Sequence, residues 1–157
     1  MAREVTPGIW ELRVPIPNNP LGFLLSYLIK GEDGFILVDA GWPSTQAFNS
    51  VREAFRELNV SPGDVRAIVL THGHIDHFGL AGRLRELTGA RLLMHRKEFE
   101  GLQEQHGPPG GSPETREKWL RENGVPEAEI SRLGHPPARP EFLTKPDVLI
   151  EEGPIQE

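Results

Sequence analysis

At 157 residues, with 37% hydrophobic and 25% charged side chains, the chain has the size of one domain and enough apolar material to bury a core. Seventeen Lys plus Arg against 23 Asp plus Glu leave a net charge of −6, which argues against a broad nucleic-acid-binding face. No stretch approaches the about 18 apolar residues of a membrane span, and Met-Ala-Arg-Glu lacks the apolar segment of a signal peptide, so the expected location is cytoplasmic. With no cysteine, disulfides and thiolate chemistry are excluded.

Gly8 to Ile16 reads as a strand, and the three prolines and two asparagines from Pro15 to Pro20 read as a loop. Phe23 to Ile29 predicts a buried strand. Gly31-Glu32-Asp33-Gly34 is a turn, and Phe35 to Val38 returns as the second arm of a hairpin that delivers Asp39 at its end. Ser44 is the expected N-cap of a helix whose inward stripe is Ala47, Phe48, Val51, Ala54, Phe55 and Leu58. Ser61-Pro62-Gly63-Asp64 breaks the chain before a short strand from Arg66 to Leu70. A helix from Gly79 carries Leu80, Leu84 and Leu87 inward and stops at Gly89, and Arg91 to His95 is the next strand.

Beyond His95 the pattern predicts helices over Arg96–Gln105, from a Ser112-Pro113 cap to Asn123, and over Pro126–Leu133. Trp119 and Leu120 are the expected apolar contacts of the second. Gly107 to Gly111 and Gly134 to Pro140 read as loops, and Asp147 to Ile150 as a final strand before the turn Glu151-Glu152-Gly153. Strands alternating with helices after Asp39 place the chain in the α/β class. Residues 1–157 are expected to form a single domain, with 96–140 as a helical and loop insert.

The most informative run is Thr71 to His77, THGHIDH, directly after a strand. His72, His74, Asp76 and His77 are nitrogen and oxygen donors suited to zinc, iron or manganese. In an extended segment His72 and His74 point the same way, whereas the neighbours Asp76 and His77 point apart, an arrangement suited to a second ion. Three of six histidines within six positions, led in by Ala67-Ile68-Val69-Leu70, is not the signature of a tag or a low-complexity tract. Among the remaining histidines, His95 reads as a polar strand end, and His106 as a solvated residue beside the Gly/Pro loop. His135 sits in Gly-His-Pro-Pro, ahead of the last strand.

The run T-H-G-H-I-D-H resembles the HxHxDH signature of the metallo-β-lactamase-fold superfamily. Phe35 to Gly41 resembles that family's strand ending in Asp-x-Gly, and Gly79–Gly82 with Ala90–His95 its following helix and strand. The resemblance implies the first half of an αββα sandwich, a mixed sheet with helices packed on one face. It implies His72 and His74 as ligands of a first ion and Asp76 and His77 as ligands of a second. Asp39 would orient a ligand imidazole by accepting its other N–H. The implied cofactor is one or two zinc ions, with iron or manganese as alternatives. The implied activity is hydrolysis of a small ester, thioester, lactone or amide through a metal-bound hydroxide, with Asp76 as the catalytic carboxylate that orients the nucleophile. An iron oxidoreductase of the same fold is the alternative chemistry. Several flavodiiron relatives place glutamate where His74 stands, so His74 argues against that type.

The family's next ligand histidine follows a strand and turn like Val148–Gly153, so the ligand role does not carry over to His135. On this alignment the chain ends before the expected third histidine, bridging carboxylate and final histidine. The expectations are therefore a half-domain with an incomplete site and no activity alone, or a homo-oligomer that covers the apolar face of the missing half. The expected partner is a small-molecule substrate, with neither nucleic acid nor membrane.

Overall fold

The computed structural model describes residues 2–106, 113–133 and 144–153, with side chains omitted at 104–106, 113–116 and 132–133. The Gly107–Gly111 loop, the Ser112 cap, the Gly134–Pro140 loop and His135 lie outside these residues, as does the His106 side chain. The chain divides into two compact units, Met1–Phe99 with Phe142–Glu157, and Glu100–Glu141.

The first unit is built on a seven-stranded mixed sheet whose strands lie in sequence order. β1 (Ala2–Thr6), β2 (Ile9–Pro15), β3 (Phe23–Lys30) and β4 (Phe35–Val38) pair antiparallel. β5 (Val65–Leu70), β6 (Arg91–His95) and β7 (Val148–Ile150) extend the sheet in parallel from β4. Each strand after β4 returns through a crossover, and right-handed crossovers in one direction place their helices on the same face. Those helices are α1 (Thr45–Glu57) and, between β5 and β6, α2 (Ile75–Phe78) and α3 (Ala81–Thr88). The α/β class and mixed sheet are thus as the sequence implies.

Register explains where the core lies. Leu28 pairs with Leu37, Leu37 with Ile68 and Ile68 with Leu92, so one row of fully buried side chains crosses four strands. Leu12, Val14, Leu70 and Met94 extend the same face. Ala47, Val51, Ala54 and Phe55 of α1 and Leu84 of α3 are the buried helix residues that complete this layer. α1 packs against β2, and α3 against β5 and β6. Burial of such Leu, Ile and Phe side chains is worth about 1.5–3 kcal/mol each. The opposite face carries Leu25, Tyr27, Ile29, Val38, Val69, Leu93 and Val148, all half-buried.

The N-terminal strand is a feature the sequence does not announce. Ala2–Thr6 has charged residues in place of alternation and holds its conformation by pairing with β2 at the sheet edge. α1 starts where expected, with Ser44 Oγ accepting the Ala47 N–H at 3.1 Å. Its Phe48 is only half-buried, beneath the guanidiniums of Arg83 and Arg52 at 4.1 and 5.8 Å from the ring centre. Gly89 ends α3 in the left-handed region at φ 72°.

α4 (Arg96–His106) begins in the first unit. In the second unit α5 (Pro113–Glu122) and α6 (Glu127–Leu133) are joined by Arg121, whose guanidinium donates to Glu117 and Glu127 at 3.0 and 2.7 Å. Ile130 is buried there, whereas Trp119, expected as an apolar contact, is 60% exposed. No helix of the described residues is long and apolar enough to cross a membrane.

Candidate metal centre

The loop Thr71–His74 leaves β5 at the C-terminal edge of the parallel strands, where open α/β sheets place their sites. It runs into α2, one helical turn from Ile75 to Phe78, with His74 as its extended N-cap residue at φ −66° and ψ 146°. The turn changes one expectation. Asp76 and His77 do not point apart: Asp76 Oδ2 lies 3.6 Å from His77 Nε2, because helical neighbours are splayed by far less than strand neighbours.

Three imidazoles meet here. The His72 ring centre is 4.6 Å from that of His74 and 4.0 Å from that of His77. His72 Nε2 faces His74 Nδ1 at 3.1 Å. Two imidazole lone pairs at this distance repel unless a proton or a cation lies between them. Two nitrogens bound tetrahedrally to one zinc at 2.0–2.1 Å would stand about 3.3 Å apart. The pair therefore matches what one ion requires of two ligands.

The outer atoms of two of these rings are held by Asp39, one directly and one through Thr71; Asp39 is 4% exposed and sits in the left-handed region at φ 61°. Its Oδ2 accepts from His77 Nδ1 at 2.7 Å, leaving His77 Nε2 free on the Asp76 side. The same carboxylate accepts the Thr71 N–H at 2.9 Å and the Thr71 hydroxyl at 2.8 Å. The Thr71 oxygen in turn lies 3.0 Å from His72 Nδ1, which sets the proton on Nδ1 and leaves Nε2 as the donor atom. Sequence reasoning selects Asp39 but not Thr71; a hydroxyl directly before the first histidine is the only local signal.

The backbone holds this arrangement from below. The His77 carbonyl accepts the N–H groups of Ala40 and Gly41 at 2.7 and 3.3 Å, and Asp39 N donates to the Val69 carbonyl at 2.9 Å. Buried Ser26 donates to the carbonyls of Val38 and Asp39 at 2.8 and 2.6 Å, fixing the end of β4. Gly79 allows the close approach of α2 to the preceding loop. A Cβ there would overlap Pro43 Cδ and the Ile75 carbonyl.

His72 titrates below the ordinary imidazole range. Burial is the main cause, and the neighbouring His77 and His74 add to it against the opposing pull of Asp39 and Glu98. The neutral form that a metal requires is thus favoured at neutral pH. Yet among the described residues no group of three His, Cys, Asp or Glu side chains is arranged to hold one ion. The four side chains approach one another as two pairs, His72 with His74 and Asp76 with His77. His95 stands apart, accepting the Lys97 N–H at 3.2 Å and lining a cavity of about 300 Å³ with Arg96, Lys97, Glu151 and Glu152.

The profile of the Metallo-beta-lactamase superfamily matches residues 20–154. A probable metallo-hydrolase of Bacillus subtilis, YqjP, is 39% identical over 75 residues, covering 48% of this chain and 23% of that protein. The N-acyl homoserine lactonase AiiB of Agrobacterium fabrum is 31% identical over 94 residues, covering 47% of this chain and 33% of that protein. The crystal structure of the metallo-beta-lactamase family protein TTHA1429 from Thermus thermophilus superposes with a TM-score of 0.73 at 30% identity. It covers 98% of this chain and 49% of its own. The chain thus spans about half or less of the length of these relatives. Because the profile match takes in most of the chain and the structural likeness nearly all of it, the chain belongs to the metallo-beta-lactamase superfamily.

Proposed function

We propose that this chain carries the paired metal ligands of a metal-dependent hydrolase acting on a small ester, thioester, lactone or amide. The observation that carries the reading is the His72 Nε2–His74 Nδ1 pair at 3.1 Å, with His72 held from behind by Thr71. The superfamily's metal-dependent relatives support it, and the lactonase among them supports the substrate class. Divalent ions bound here would supply Lewis-acid polarisation of a carbonyl and a more acidic water. His72 and His74 would hold one ion, and Asp76 with His77 another. Asp76 is one-quarter exposed; one of its oxygens is directed towards His77 Nε2, and the other would orient the attacking water by accepting its hydrogen bond. Zinc is the proposed metal on chemistry of the donor set, since imidazole and carboxylate suit it; iron would redirect the site to oxidation.

One observation favours a second reading, in which the described residues form only part of a centre. No three donors converge among them, and zinc sites usually need three or four. On that reading the remaining ligands come from outside the described residues, on this polypeptide or another.

The test is turnover of a panel of short acyl lactones, thioesters and aryl esters by the zinc-loaded chain, beside Asp76→Asn. The reading expects hydrolysis of at least one class, reduced by 100-fold or more in the variant, on the order expected for loss of a general base. A chain that takes up zinc fully and turns over none of the panel would support the second reading against the first.

A further inference from the structure

A carboxylate outside the HxHxDH run also reaches the loop. Glu98 Oε2 accepts the N–H of Gly73, the residue between His72 and His74, at 3.1 Å. The contact follows from topology. β5 and β6 are parallel neighbours with Leu70 opposite Met94, so Thr71–Gly73 and His95–Glu98 leave the sheet side by side at the same edge. α4 starts at Arg96 without an intervening loop, which puts Glu98 in its first turn. That turn is secured independently. Phe99 is buried, Arg96 pairs with Glu151 at 2.8 Å, and Lys97 with Glu152 at 3.0 Å. No cation is paired with Glu98 among the described residues, so its one hydrogen-bonded partner there is the loop amide.

We propose that Glu98 is a positioning residue for the His72–His74 pair, acting through the Gly73 amide. The peptide between His72 and Gly73 sets the direction in which each flanking imidazole leaves the backbone. Pinning its N–H fixes the plane of that peptide. Thr71, itself bound to Asp39, holds the far nitrogen of His72, and among the described residues no side chain outside the loop does the same for His74, which is exposed. Glu98 supplies the restraint between the two. This inference rests on the metal-site reading for its consequence, though not for its geometry.

The experiment compares the chain with its Glu98→Ala and Glu98→Gln variants. The metal-free proteins are examined by NMR for Gly73 amide exchange and His74 ring shifts. Each is then titrated with cobalt(II) against a chelator while the visible ligand-field bands are recorded. Glu98→Ala is expected to accelerate Gly73 exchange and shift the His74 ring, to weaken cobalt affinity by about tenfold, and to alter the bands. Glu98→Gln keeps an acceptor oxygen and should restore most of each. Unchanged Gly73 exchange in Glu98→Ala overturns the proposal, and so does a Gln variant as impaired as Ala, which would assign Glu98 to charge or direct ligation. If the unaltered chain takes up no cobalt, the metal-site reading fails. The exchange and ring-shift comparison still decides the role of Glu98.

Discussion

His77 is held at one end by Asp39 and at the other by the residue that follows Asp39. Its Nδ1 lies 2.7 Å from Asp39 Oδ2, while its carbonyl accepts the N–H of Ala40, the residue after Asp39, at 2.7 Å. Because Asp39 also binds the Thr71 amide and hydroxyl, one buried carboxylate aligns the first and last histidines of the loop. Replacing Asp39 by Ala strands these donors and puts Ala at a left-handed φ of 61°. The metal-free chain should lose about 2–4 kcal/mol of stability, and zinc affinity should fall about 10- to 100-fold. Asp39→Asn, which tolerates that φ and keeps one acceptor, should lose less. Urea unfolding and chelator competition measure both; an Ala variant as stable as the parent would contradict this role.

Gly79 is the steric counterpart of that polar arrangement. Any Cβ would overlap Pro43 and the Ile75 carbonyl, and the obstacle is ring and backbone rather than a flexible side-chain end. Gly79→Ala should destabilise the chain by about 1–3 kcal/mol, the usual cost of overpacking. Gly63→Ala, where a Cβ meets open space, is the control and should change the urea midpoint little.

The pH dependence follows from His72. Its imidazole takes up a proton at lower pH when folded than when unfolded, because burial and the neighbouring His77 and His74 disfavour its charge. As pH falls below the unfolded value of about 6.5, the unfolded state binds more protons, so stability falls. The loss levels off below the folded value. In the metal-free chain, NMR titration should place His72 below a free imidazole, and His72→Asn should flatten the slope of the urea midpoint against pH. A His72 titrating at or above the free value would contradict this.

The sheet from β2 onward, the helix capped by Ser44 and the strand-end Asp39 were legible because each is signalled locally, by alternation, a capping hydroxyl or a run of apolar residues ending in a polar one. β1 was not, since Ala2–Thr6 owes its conformation to β2 rather than to its own pattern. α2 is a single turn, too short for helical periodicity to register, and it is why Asp76 approaches His77. Thr71 and Glu98 were missed for a related reason. Their roles depend on partners brought by the fold, Asp39 being 32 residues before Thr71 and Glu98 25 residues after Gly73.

Whether His72 and His74 share a metal ion is decided by elemental analysis of the purified chain beside a His72→Ala/His74→Ala double variant. Zinc is expected in the chain, with less in the double variant while the fold persists. Equal metal content in the two proteins, or none in either after growth with added zinc, would contradict it.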